Sequence, residues 1–217
     1  IAERKIATRV ASQMMSEAPQ TTEGSAGNIR DYYTINDGVI GEGNFGKVHR
    51  AFVKVTGAPR AVKLIEKAKS KPGASKQEVA VMSMIDHPNL VKLHERFDDD
   101  MFHYLVMELC MGGSLADRIR SSETGRLSEM DSGLAMQQVL RAIDYMHSLR
   151  ICHRDVKADN CLMSRSMGNS EGNVVKVCDF GLSRSFQPGE VFVARVGTPT
   201  HWAPEVLERK YTCNCDL

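Results

Sequence analysis

Short apolar runs broken by Gly, Pro and Asp fill residues 33–107, and longer amphipathic patterns follow them. Val39-Ile40, Val48, Phe52-Val53-Val55 and Ala61-Val62-Leu64-Ile65 fit strands, with Gly57-Ala-Pro59 as the connection between the second and third. Lys76 to Ile85 reads as a helix with Val79, Met82 and Ile85 on one face. Leu93–Phe97 and Phe102–Met107 read as further strands around an Asp98-Asp99-Asp100 turn. After Gly112-Gly113 the pattern becomes helical. Ser128-Glu-Met-Asp131 fits a capping box, in which Ser and the acid satisfy free helix N–H groups, and Leu134, Val139, Leu140, Ile143 and Met146 form an apolar face behind it. The front is therefore a small sheet with one helix and the back is mainly helical. A cleft between two such lobes is a natural ligand site.

The flanks read differently. Ile6, Val10 and Met14 recur every four residues, as in a short amphipathic helix, and Pro19 to Asn28 is a small polar linker. Residues 1–30 are thus a tail and linker, and residues 70–75 a loop. Hydrophobic residues make up 42% and charged residues 25% of the 217, the mix of a globular protein and not of a wholly disordered one. Lys and Arg number 28 against 27 Asp and Glu, so no net charge favours nucleic acid, and none is expected as a partner. No run of 18 apolar residues predicts a membrane span, and the charged Ile1-Ala-Glu-Arg-Lys-Ile6 start is unlike a secretory signal. Cys110, Cys152, Cys161, Cys178, Cys213 and Cys215 lack zinc-site spacing and read as reduced thiols, which suits a cytoplasmic protein.

Several short motifs carry chemistry. Gly41-Glu-Gly43-Asn-Phe45-Gly46-Lys-Val48 joins two strands and does not open a helix, which excludes a Rossmann-type site; as a lone motif it is also an ordinary hairpin. Lys63 by itself is an ordinary strand lysine. Its flanks are apolar on both sides, however, so its ammonium faces a buried surface and needs a partner, for which Glu78 on the next helix is the candidate. His153-Arg154-Asp155-Val-Lys157-Ala-Asp159-Asn160 is the densest polar cluster and lies between apolar stretches, as a loop at a pocket floor does. Asp179-Phe180-Gly181 follows the strand candidate Val174–Val177, and Asp179 with Asn160 offers oxygen ligands to a hard cation.

The set in this order, closed by Ala203-Pro204-Glu205, is the protein-kinase signature. From about Tyr33 to Leu217 the chain resembles the eukaryotic protein kinases. HPNLVKL (87–93), LVMELCMGGSLADRI (105–119) and residues 179–211 are similar to the calcium-dependent and calmodulin-dependent serine/threonine kinases. The resemblance implies an α+β, two-lobed fold: a small lobe of five antiparallel strands with a hinge at 31–110, and a mostly helical, partial large lobe at 111–217. It implies transfer of the ATP γ-phosphate to Ser or Thr hydroxyls of a protein substrate, with ATP and Mg²⁺ as cofactors. The alternative is a non-catalytic kinase-like protein that binds nucleotide or acts as a scaffold.

The resemblance also implies roles. Gly41, Gly43, Phe45 and Gly46 would cover the phosphates, and Lys63, paired with Glu78, would hold them. Asp179 and Asn160 would bind Mg²⁺, Asp155 would take the substrate hydroxyl proton, and Lys157 would stabilise the transferring group. Adenine would lie between Val48 and Ala61 above and Leu162 below, its edge bonded by the backbone of Glu108 and Cys110 with Met107 behind. Either a phosphate on Thr198 or the acid Glu190 would pair with Arg154. Ser114 stands where the resembling kinases usually carry Glu, which weakens the implied preference for basic peptides, and Asp159 keeps an acid nearby. Tyr211–Leu217 is similar to the start of the helix that anchors the catalytic loop. The large lobe is then incomplete, and this stretch by itself is expected to be poorly stable and weakly active. No calcium-binding loop of the D-x-[DN]-x-[DN]-G kind is present.

Overall fold

The computed structural model describes residues 27–43, 46–68, 74–164 and 174–217. The expected tail helix, Phe45 and most of the 70–75 loop lie outside the described residues. Asn28 accepts from the Arg30 N–H and opens a one-turn helix α1 (Ile29–Tyr32). Strands β1 (Tyr33–Gly43), β2 (Gly46–Val53), β3 (Pro59–Glu66), β4 (Leu93–Asp98) and β5 (Phe102–Met107) form one antiparallel five-stranded sheet in the order β1-β2-β3-β5-β4. Asp99 closes the β4–β5 turn by accepting from the Met101 and Phe102 N–H groups. Val55 falls outside the second strand and is almost fully exposed.

Side chains along a strand alternate between faces, and β3 and β5 use both. Val62 and Leu64 with Tyr104 and Val106 pack on Ile29, Tyr33, Ala51 and Phe97, on the face away from the cleft. Ile65, Leu105 and Met107 face the other way, onto helix α2 (Ala74–Met84) through Val79 and Met82. Lys63 shares the parity of Ile65, so the alternation that buries an isoleucine also buries the ammonium. Gly46 sits where β2 leaves the Gly-rich turn, with φ +143°. A Cβ there would lie 2.1 Å from the Leu64 carbonyl oxygen, so the neighbouring strand itself demands glycine at this position.

The second lobe begins with helix α3 (Leu115–Ser121) and helix α4 (Glu129–Ser148). The full reciprocal capping box is at α3: Ser114 accepts from the Asp117 N–H, and the Asp117 carboxylate accepts from the Ser114 N–H. At α4, Ser128 accepts from the Asp131 N–H and its hydroxyl donates to the Asp131 carboxylate. Helix α4 buries Ala135, Val139, Ala142, Ile143 and Met146, spaced four, three, one and three residues apart along a single face. Leu134 and Leu140, expected on that face, are exposed at 54% and 45%, because they sit about one residue (roughly 100°) off the stripe. The buried stripe meets Leu90, Ile151, Cys161, Met163, Val175, Val177 and Phe180 and continues into the α2 cluster, so one core runs beneath both lobes.

Short strands carry the loops between. Strand β6 (Ile151–Cys152) pairs with β9 (Arg184–Ser185), and β7 (Cys161–Met163) pairs with β8 (Val175–Val177). A separate apolar cluster of Cys152, Phe186, Phe192, Val206 and Tyr211 lies beneath the one-turn helix α5 (Pro204–Leu207). The contrast along α4 is measurable. Ile143→Ala should destabilise by about 2–5 kcal/mol, since it opens a cavity in the shared core, whereas Leu134→Ala should stay within about 0.5 kcal/mol. Urea unfolding of both variants checks this, and equal losses would contradict the assigned face.

Candidate active site

The central strand β3, helix α2 and the turn after β8 each present one charge to a common point. Lys63 Nζ donates to Glu78 Oε1 at 2.7 Å and to Asp179 Oδ1 at 3.1 Å. Lys63 and Glu78 are both buried, and Asp179 is partly open to the cleft. Burial works to lower the Lys63 pKa, but the charges of Glu78 and Asp179 outweigh it and hold the ammonium above its ordinary value. Helix α2 is held in this position from a second side, where Gln77 Nε2 donates to the Ser183 carbonyl at 2.7 Å. Asp179 has φ 63°, in the left-handed region that non-glycine residues rarely occupy. Such a conformation costs of order 1–3 kcal/mol and persists where surrounding contacts impose it.

The polar cluster at 153–160 forms the floor, as expected. Asp155 Oδ1 accepts from the Thr198 N–H at 2.8 Å and the Thr198 hydroxyl at 2.7 Å. Its Oδ2 lies 3.1 Å from Lys157 Nζ and 3.1 Å from Asn160 Nδ2. Burial works to raise the Asp155 pKa, yet the Thr198 and Lys157 bonds outweigh it and hold the carboxyl below the usual carboxylate range. Lys157 Nζ also donates to the Thr198 hydroxyl at 2.6 Å, so the three side chains form a closed triangle. Asn160 spends its amide nitrogen on Asp155, at the side chain and at the carbonyl (2.8 Å), which leaves its oxygen as the atom to offer a cation. Asn160 and Asp179 line the same cleft, and their oxygens suit a hard divalent ion such as Mg²⁺.

That cleft, about 340 Å³, is walled by Gly41, Gly46, Val48 and Ala61 on one side and Leu162 on the other. Met107, Glu108 and Cys110 close its rear. Met107 pairs with Ala61 in the sheet and also packs on the shared core, so it serves both roles. The Glu108 N–H is already used on the Lys92 carbonyl, and its carboxylate pairs with Lys176 at 2.8 Å, so its own carbonyl is what it offers a ligand edge. Burial, helped by the Glu108 charge, pushes the Cys110 thiol up to about 12. Gly43 pairs with Gly46 at the tip of β1–β2.

One expected pairing of Arg154 is replaced by another. Glu190 pairs with Arg184 and accepts from the Gln187 N–H, not with Arg154. Arg154 Nε donates to the Leu182 carbonyl and the guanidinium lies over the Phe192 ring, 5.6 Å from its centre. The Thr198 hydroxyl donates to Asp155. The reason is proximity along the chain: Glu190 closes a short turn starting at Gln187, and its reach ends at Arg184.

Three residues within the motifs bear structural weight at the site. Asp216 accepts from the His153 N–H at 2.8 Å and the Arg154 N–H at 2.7 Å, and lies 2.9 Å from His147 Nε2. Burial works to raise its pKa, but these bonds hold it below the usual range. His153 is fully buried; its Nδ1 accepts from the Asp155 N–H and its Nε2 faces the Cys178 carbonyl at 3.0 Å, which assigns the Nε2–H tautomer. Phe180 meets the His153 ring edge-on with centres 5.6 Å apart. The likeness of Tyr211–Leu217 to the start of an anchoring helix was the signal for Asp216; the His153 and Phe180 contacts arise only in three dimensions.

Comparison with known proteins agrees with this geometry. The family model described as protein kinase domain matches residues 34–217. Calcium-dependent protein kinase 3 of Plasmodium yoelii yoelii is 37% identical over 193 residues, covering 88% of this chain and 35% of that protein. Calcium-dependent protein kinase 5 of Plasmodium falciparum (isolate 3D7) is 38% identical over 190 residues, covering 87% and 33%. Calcium-dependent protein kinase 4 of Plasmodium berghei (strain Anka) is 38% identical over 183 residues, covering 82% and 34%. The chain therefore spans about a third of the length of these curated relatives. With the ion-paired lysine, the buried floor loop and this match over most of its length, the chain belongs to the protein kinase family.

Proposed function

We propose that the protein is a serine/threonine kinase of the calcium-dependent type, transferring the γ-phosphate of ATP to protein hydroxyls. The observation that carries this reading is the meeting of Lys63, Glu78 and Asp179 at 2.7 and 3.1 Å in the cleft that Asn160 also lines. Adenine fits the apolar slot between Val48 with Ala61 and Leu162. The triphosphate runs under the Gly41–Gly46 turn toward Lys63. Asp179 and Asn160 supply the oxygens that would hold Mg²⁺, which when bound neutralises charge on the phosphates. In this reading residues 31–110 bind mainly nucleotide and residues 111–217 carry the acceptor side.

Phosphoryl transfer asks the protein for positioning and charge stabilisation more than for covalent chemistry. Asp155 accepts a hydrogen bond from the attacking hydroxyl and aims its lone pair at the phosphorus. Because its neighbours hold it below the usual carboxylate range, Asp155 is ionised at neutral pH and is a weak base. It orients first and receives the proton as the bond to phosphorus forms. Lys157 stays near both Asp155 and Thr198, where its charge stabilises the transferring group. The Lys157–Thr198–Asp155 triangle supports Ser/Thr over Tyr acceptors, in keeping with the kinases that this stretch resembles. The names of the relatives support the calcium-dependent type.

In the full-length protein, Mg²⁺-dependent phosphate transfer to Ser and Thr peptides should exceed transfer to Tyr peptides. Asp155→Asn should lower turnover by on the order of 10²–10⁴ with ATP affinity retained. A folded wild-type protein that binds ATP yet transfers nothing would turn the reading to the scaffold alternative. A second prediction concerns pH. Asp155 must be ionised, and its lowered pKa keeps the activity-loss limb on the acid side of the ordinary carboxylate range. Thr198→Val removes one of the bonds that lower it, so the acid limb of kcat/KM should move to higher pH. An unmoved limb would show that Thr198 does not set the ionisation of Asp155.

A further inference from the structure

Outside the cleft, two thiols face each other. Cys152 Sγ in β6 and Cys215 Sγ in the 3₁₀ turn Cys213–Asp216 are 3.7 Å apart, although 63 residues separate them in sequence. Their neighbours already hold the two segments side by side, since Asp216 accepts from the N–H groups of His153 and Arg154. A disulfide needs its sulfurs about 2.05 Å apart, so each would move by less than about 1 Å. Cys152 is fully buried, whereas Cys215 is half-buried and lines a small crevice with Arg154, Asp155, Trp202 and Tyr211. The other neighbouring groups do not make a vacant metal seat. His147, Cys152 and Asp216 cluster, but the Asp216 oxygen that faces His147 is already filled by His147 and the His153 N–H.

We propose that Cys152 and Cys215 are a site of oxidative modification, a dithiol that a peroxide converts into an intrachain disulfide joining the catalytic loop to its anchor. Access sets the order of attack. The Cys215 sulfur, having lost its proton, attacks one peroxide oxygen; the S–O bond forms, the O–O bond breaks, and the departing hydroxide takes up a proton as water. The Cys152 sulfur then gives up its proton and attacks the Cys215 sulfur; the S–S bond forms, the S–O bond breaks, and a second water leaves. The two sulfurs together lose two electrons and hydrogen peroxide gains them. The contact with Cys215, and then burial, push the Cys152 thiol up, which disfavours it as the first attacker; as the second it works at contact distance, where proximity offsets a small thiolate fraction. The bond would close a loop across Asp155, Asn160, Asp179 and Thr198, all of which lie between the two cysteines in sequence.

Titration of the full-length protein with hydrogen peroxide, followed by peptide mapping without reductant, tests this. The expected product is a Cys152–Cys215 cross-linked peptide, two mass units lighter than its reduced parts and restored by dithiothreitol. The thermal midpoint of the oxidised form should rise by about 5–10 °C. Cys152→Ala should leave Cys215 stalled as a sulfenic acid that dimedone traps. Cys215→Ala, a change at a half-buried position that leaves the core intact, should leave Cys152 unmodified at the same peroxide dose. A cross-link to Cys213 in place of Cys215, a sulfenic acid that persists in the wild type, thiols inert at doses that oxidise Cys213, or a lowered midpoint after oxidation would each overturn the proposal. None of these readouts depends on phosphoryl transfer, so they stand apart from the kinase reading.

Discussion

A lysine in the middle of an apolar sheet has to find an anion, because a desolvated ammonium without a partner costs several kcal/mol. β3 alternates Val62 and Leu64 toward one core and Ala61, Lys63 and Ile65 toward the other. The cation is thereby delivered to the interface between the sheet, helix α2 and the floor loops. Glu78 answers from α2 and Asp179 from the turn after β8, so one buried charge ties together three elements that also share the apolar core. Removing either acid would take a charge partner from the lysine, while helix α2 would still pack on the sheet through Val79 and Met82. Such a pair is weak evidence for net stability. It is strong evidence for a specific arrangement, since only one placement of α2 satisfies it.

The floor loop depends on a complementary constraint. Residues 153–160 form little regular structure, so their backbone groups need partners from elsewhere. Asp216 supplies two acceptors to the His153 and Arg154 N–H groups, and the His153 ring bridges the Asp155 N–H to the Cys178 carbonyl. The loop is thus bonded on one side to the 213–216 turn and on the other to Cys178, between strand β8 and Asp179. Asp155 and Asp179, which belong to different loops, are positioned through one imidazole.

Much of this was legible from the residues alone. The strand runs, the α2 helix and the buried Lys63 with its Glu78 partner follow from periodicity and from the cost of an unpaired charge. The order of the polar motifs pointed to Asn160 and Asp179, which the fold brings to the same cleft. Other features were not legible, each for a physical reason. The apolar face of α4 was read one position wide of the buried stripe: Leu134 and Leu140 turn outward, while Ala135, Val139, Ala142, Ile143 and Met146 enter the core that holds Val175 and Val177. The glycine at 46 was read as clearance for phosphate, whereas the Leu64 carbonyl already forbids a side chain there. The partner of Glu190 was assigned by family habit, and a short turn gave it Arg184 instead. Thr198 lies 43 residues from Asp155, beyond any local pattern, so its contact could be seen only once the chain was folded.

Two of the four non-glycine residues with positive φ among the described residues are explained by the same two constraints. Arg154 and Asp179 both adopt positive φ, at 67° and 63°, and each conformation costs of order 1–3 kcal/mol. Arg154 is the residue whose N–H points at Asp216, and Asp179 is the residue whose carboxylate meets Lys63. In a regular strand or helix neither group could reach its partner, because the backbone direction would carry it past. The strain is therefore offset by a buried hydrogen bond in one case and a buried charge in the other. Relaxing either backbone would take the Arg154 N–H from Asp216 or the Asp179 carboxylate from Lys63. Preorganisation at this site is thus a consequence of burial, and the charges that would act on phosphate are held in place by the same contacts that keep the core closed.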